Sequence, residues 1–165
     1  MFAYTAAYLY QGDSPAAERR AQALTLDRGM LRDLLGQEQL RDLLDVAAIA
    51  AVADELQGRA EGHRVAHPDA LVDLLRRVGD LGHDEIVARC ESDPSEWIAA
   101  LAERRRIVSM RIAGIPRWIA AEDAALYRDA LGCVPPAGLA AALLEPARDS
   151  LDQLLFRFAR THAPF

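Results

Sequence analysis

Ile107-Val108-Ser109-Met110-Arg111-Ile112-Ala113-Gly114-Ile115-Pro116-Arg117-Trp118-Ile119-Ala120-Ala121 is the stretch on which the fold turns. Up to Ile112 apolar and polar residues alternate with the period of a half-buried strand. Ala113-Gly114-Ile115-Pro116 carries the breaker residues of a turn, and the chain returns as a second apolar run from Arg117. The pattern predicts a small β-hairpin.

Working outward, the residues just before the hairpin predict a helix. Asp93-Pro94-Ser95-Glu96 has the spacing of a capping box with a proline at the first helical position. Trp97, Ile98 and Leu101 then form an apolar stripe, and Arg104, Arg105 and Arg106 close the segment. Further upstream, Pro68 opens a helix with a wide apolar face of Leu71, Val72, Leu74, Leu75 and Val78, which Gly79 ends. His83-Asp84-Glu85 starts another through Ile86, Val87 and Cys90. Three helices and a hairpin within about sixty residues have the order and size of a winged-helix unit.

On the far side of the hairpin, Glu122 begins a helix with Leu126, Tyr127 and Leu131 that Gly132 terminates. Pro135, Pro136 and Gly138 impose a bent linker, and Pro146 breaks the Leu139 to Leu144 run. From Asp149-Ser150 a strongly amphipathic segment runs through Leu151, Leu154, Leu155 and Phe158 and reads as the first helix of another module. Towards the N-terminus, Asp13-Ser14-Pro15 is a helix start, and Leu31, Leu34, Leu35, Leu40, Leu43 and Leu44 keep one apolar stripe. Asp45 can cap a third helix with Ile49, Val52 and Leu56 as inward residues, ending near Gly58. Residues 1–10 read as the tail of a helix whose beginning is missing. The expected organisation is mainly α, or α+β by virtue of the hairpin. A helical subdomain at 1–62 precedes a winged-helix-like domain at 67–132, and a linker with the first helix of a following module occupies 133–165.

Composition excludes several function classes. The net charge is -6 over 165 residues, which argues against coating nucleic acid with the whole surface and leaves room for a local basic face. Aromatics make up 6%, too few for a large stacking platform. All 19 basic residues are arginine, so neither a P-loop lysine nor a Schiff-base lysine exists in this chain. Cys90 and Cys133 form no CxxC pair, and His63, His67, His83 and His162 have no metal-ligand spacing with them, so no metal site is expected. No glycine-flanked nucleophile elbow or poised acid–base pair is present, so no catalytic residue is expected either. Cysteine usage points to a reducing, cytoplasmic setting, and no signal peptide or membrane-spanning run is read.

The candidate contacts are arginines. Arg111 and Arg117 flank the turn, where a wing would meet a phosphate backbone, although arginine also protects a hairpin edge from pairing. Arg104, Arg105 and Arg106 complement the unpaired carbonyls of a helix end, which by itself accounts for cations there. Trp118 is a candidate for stacking on a base, with burial in the core as the plainer reading.

Three blocks resemble the large helicase-related family of ATP-dependent superfamily 2 helicases. They are Tyr10-Gln11-Gly12-Asp13-Ser14-Pro15-Ala16-Ala17-Glu18-Arg19-Arg20-Ala21-Gln22-Ala23-Leu24, Arg111 to Ala120, and Phe158-Ala159-Arg160-Thr161-His162-Ala163-Pro164-Phe165. Val46 stands where a helix-starting proline is expected after Asp45, and Ala163 where glycine is usual before Pro164. The resemblance implies a region following the two motor domains, which closes the helicase core around the tracked strand. It implies single-stranded or forked DNA or an RNA:DNA hybrid as partner, along with the motor domains of the same protein. ATP and Mg would be held by those motor domains, with no cofactor in this chain. A docking module that never touches nucleic acid is the alternative, and a DNA-glycosylase-like module a third.

Overall fold

The computed structural model describes residues 45–162. The N-terminal helix start at Ser14, the leucine stripe from Leu31 to Leu44 and the final Ala163-Pro164-Phe165 lie outside the described residues. Helix α1 spans Val46–Leu56, α2 Pro68–Val78, α3 His83–Val87 and α4 Ser95–Glu103. Strands β1 (Ile107–Ile112) and β2 (Ile115–Ala120) form the hairpin. After a short 3-10 turn at Ala121–Asp123 come α5 (Ala124–Leu131), a second 3-10 turn at Ala141–Leu144, and α6 (Ser150–Thr161). Among the described residues no helix is long and apolar enough to cross a membrane.

Helix α2 forms as its sequence dictates. His67 caps it by accepting from the Ala70 amide, Pro68 occupies the first turn, and Leu71, Val72, Leu74, Leu75 and Val78 are all buried. Gly79 closes it at φ 103, and a Cβ there would lie 3.1 Å from the Tyr127 hydroxyl, so only glycine fits. Helix α4 starts by a device simpler than the expected capping box. The Asp93 carboxylate accepts from the Ser95 amide at 3.0 Å and from its hydroxyl at 2.6 Å, while Glu96 stays exposed. These two bonds hold the Asp93 carboxyl below the usual carboxylate range.

The hairpin register pairs Ile112 with Ile115 across a turn in which Ala113 (φ 49) and Gly114 (φ 81) both have positive φ, as a type I′ turn requires. The turn is two residues shorter than the sequence pattern implied: Ile115 and Pro116 already belong to β2. Pro116 is tolerated because it sits opposite Arg111 at a position whose amide faces away from β1. Two rungs on, the amide and carbonyl of Trp118 also face outward and are taken up by Leu81, at 2.8 and 3.0 Å. A single-residue third strand thus precedes α3 and completes the winged-helix sheet.

Strand parity splits the interior into two clusters. Ile107 and Ala120 join Leu71, Leu75, Ile86, Ile98 and Leu101 under α2, α3 and α4, with Trp118 and Trp97 packed on the margin. Val108, Met110, Ile112 and Ile119 face the other way, onto Ala124, Tyr127 and Cys133. Leu139, Leu143, Leu144 and Leu154 cover that second cluster, so the bent linker and α6 pack back onto the hairpin. Both cysteines are buried and free.

Two local expectations need correction. Helix α1 has the expected extent, but Val52 and Leu56 are exposed and none of its residues is buried. The inward residue is the next one, Gln57, whose amide donates to the Thr161 carbonyl at 2.8 Å. Helix α3 stops at Val87 rather than continuing through Cys90, because the Cys90 region bridges to Val65 as a short parallel pair.

Candidate nucleic-acid interface

Helix α4 occupies the place where a winged helix presents its reading helix. Its exposed residues are Ser95, Glu96, Ala99, Ala100 and Glu103, two acids with small neutral side chains. A phosphate-lined groove would repel such a surface, and none of these groups is the arginine or amide that reads base edges. Basic chemistry begins only where the helix ends.

That end is built by a Schellman turn. The Arg106 amide donates to the Leu101 carbonyl at 2.9 Å, which places Arg105 in the left-handed conformation at φ 56. Glycine normally occupies this position, and an arginine there costs about 1 kcal/mol. Arg104, Arg105 and Arg106 are all exposed. Arg106 is committed to the Asp69 carboxylate on the first turn of α2, an ion pair that holds the Asp69 pKa low. No carboxylate pairs with Arg104 or Arg105 among the described residues.

The two hairpin arginines part company. Arg111 lies on the solvated part of the sheet face that looks towards α4, and its guanidinium donates to the Gly114 carbonyl at 3.1 Å, bracing the turn. Arg117 points to the opposite face. It forms an ion pair with Asp80, a second with Glu85 at 2.8 Å, and donates to the Asp80 carbonyl at 2.9 Å. Glu85 also accepts from the Gly82 amide at 2.7 Å, and Asp80 exchanges hydrogen bonds with the Tyr127 hydroxyl at 2.8 and 3.0 Å. Burial and the neighbouring Asp80 raise the Tyr127 pKa. Arg117 therefore locks β2 to the start of α3 and, through Asp80, to α5. Trp118 is half-buried against the first cluster rather than displayed at the tip.

Sequence reasoning missed the polar centre beside this lock. Arg89 is 4% exposed and donates to the Gln57 carbonyl at 2.9 Å, the Gln57 side chain at 2.6 Å and the Glu85 carbonyl at 2.8 Å. Burial lowers its pKa, and its acceptors are neutral oxygens rather than a carboxylate. The i,i+4 spacing of Glu85 and Arg89 was the one available signal, and it reads equally well as a surface pair. Among the described residues no group of three or more His, Cys, Asp or Glu could hold a metal ion.

A three-helix unit, a tight hairpin and a one-residue third strand define a winged-helix domain with exposed arginines at the end of its third helix and at the wing. Residues 42–146 match the family described as the large helicase-related protein, winged-helix domain. The chain belongs to this family. It is 41% identical over 166 residues to a protein of Mycolicibacterium smegmatis named Lhr helicase/probable uracil glycosylase, and 39% identical over 167 residues to the Lhr helicase/uracil glycosylase of Escherichia coli. These alignments cover 100% and 99% of this chain and 11% of each relative, so the chain spans about a ninth of their length.

Proposed function

We propose that this region is an accessory element of an ATP-dependent superfamily 2 DNA helicase, holding nucleic acid by its backbone and helping to close the channel around the tracked strand. The motor domains of the same protein would bind ATP and Mg and supply translocation during unwinding of DNA or RNA:DNA duplexes and in DNA repair. Arg104, Arg105 and Arg111 are the residues offered to phosphates. The observation that carries the reading is Arg105: an arginine stands at φ 56, where glycine would be free of strain, with its guanidinium beside Gly138, exposed, and facing no carboxylate among the described residues. Backbone contact without base reading also suits an α4 surface of glutamate and alanine.

The test is a titration of forked DNA with the chain at about 50 and about 200 mM salt. Replacing Arg104, Arg105 and Arg111 together by alanine is expected to weaken binding alike for all sequences and to flatten the salt slope by about 0.9 per lost phosphate contact. An unchanged slope would sink the proposal. The acidic α4 surface favours one second reading, a docking module for the motor domains. Absence of binding at low salt with retained docking would establish it instead.

A further inference from the structure

The last turn of α2, one face of α6 and Leu56 at the end of α1 line an open groove of about 370 Å³ that the wing leaves unused. Gln153, Phe156, Arg157 and Arg160 recur at the spacing of a single helical face and line one wall; Arg76 and Arg77 line the other. Two of these four arginines are already neutralised. Arg76 forks onto Glu122, at 2.8 Å for one arm, and reaches Asp73 at 3.0 Å. Arg157 grips Asp123 with both arms, at 2.6 and 3.0 Å. Arg77 and Arg160 pair with no carboxylate among the described residues. Beside them Phe156 is 65% exposed, with the Arg160 guanidinium 5.6 Å from its ring centre.

An exposed phenylalanine with one guanidinium over its ring, in a groove that also holds Arg77, and with neither arginine facing a carboxylate among the described residues, is poor chemistry for a merely solvated helix face. It is good chemistry for a chain that alternates phosphates with flat rings. Guanidinium groups take phosphate oxygens in pairs, and an aromatic ring takes any base that is free of its partner. A duplex keeps its bases stacked inside, so the ring selects single strands. We propose that this groove is a second, separate contact for single-stranded nucleic acid, with Arg77 and Arg160 on the backbone and Phe156 stacking a base. It rests on the reading of the chain as a nucleic-acid-contacting region, but on none of the wing residues.

The experiment measures fluorescence anisotropy of labelled oligothymidylate with the 165-residue chain between about 50 and 200 mM salt. Arg77→Ala with Arg160→Ala is expected to flatten the salt slope by about 1.4, two phosphates at about 0.7 each on a single strand. Phe156→Leu is expected to weaken binding about tenfold with the slope unchanged, and to leave duplex binding almost untouched. All three side chains are exposed, and circular dichroism of each variant confirms the fold. If these variants bind as the parent does while the Arg104, Arg105 and Arg111 variant weakens, the groove is overturned and the wing stands. The reverse result supports the groove and removes the wing. Failure of the parent chain to bind oligothymidylate at about 50 mM salt overturns the groove.

Discussion

Arg111 and Arg117 lie on adjacent rungs of one hairpin and differ in almost everything that matters. Arg111 stands opposite Pro116 on the solvated face and, among the described residues, bonds only its own turn. Arg117 stands opposite Met110, looks the other way, and is held by Asp80 and Glu85. Composition cannot separate them; strand parity does, because successive side chains point to opposite faces. One arginine is free to meet a partner, and the other keeps the wing where a partner could meet it.

The sharpest way to break this division is Arg117→Ala. It strands two carboxylates and a carbonyl around a side chain only 25% exposed. The loss in stability is expected to be about 2 kcal/mol, below the cost for a fully buried pair because water still reaches the site. Urea denaturation reads it, and nucleic-acid binding by the folded fraction should keep its salt slope. A variant as stable as the parent would show that the lock is not one.

Arg105→Gly separates strain from use within the wing. Relief of the left-handed arginine is expected to raise stability by about 1 kcal/mol while binding to forked DNA weakens. Gain in stability with unchanged binding would leave the strain without a purpose. Arg111→Ala should move stability by no more than about 0.5 kcal/mol and lower the salt slope by about 0.9. A large loss of stability would mean that bracing the Gly114 carbonyl is its main role.

The smallest effect concerns Arg106, the helix-end arginine that is spoken for. Its partner Asp69 has a pKa below the ordinary 3.8, lowered first by the hydrogen bond from Arg106. A carboxyl depressed by folding contributes stability above its unfolded pKa and loses it as pH falls through the folded value. Melting temperature followed from neutral pH to about pH 3 should therefore fall slightly less steeply for Arg106→Gln than for the parent. Identical profiles would mean the exposed pair contributes nothing, as many surface pairs do.

The backbone plan was legible because it rests on local rules. Helix α2 shows its apolar face in sequence, with Pro68 and Gly79 as punctuation, and the breakers of Ala113-Gly114-Ile115-Pro116 after an alternating run announce a hairpin, though not its two-residue turn. The functional shortlist was only partly legible. Arg104, Arg105 and Arg106 are consecutive and all exposed, yet only the fold brings Asp69 to Arg106 and leaves the other two without a carboxylate among the described residues. Trp118 sits at the core margin, as its apolar-patterned segment suggested, but the single-residue strand at Leu81 that pairs with it is too short to show any period.

By itself, then, the sequence determined where the main helices and the hairpin lie, though not their exact ends, since periodicity and turn chemistry act over a few neighbouring residues. Which arginines remain available was decided by tertiary structure alone. A guanidinium is spent or free according to the carboxylates that distant segments bring within reach. Asp80 and Glu85 reach Arg117, and Asp123 reaches Arg157, only once the helices and the hairpin have packed.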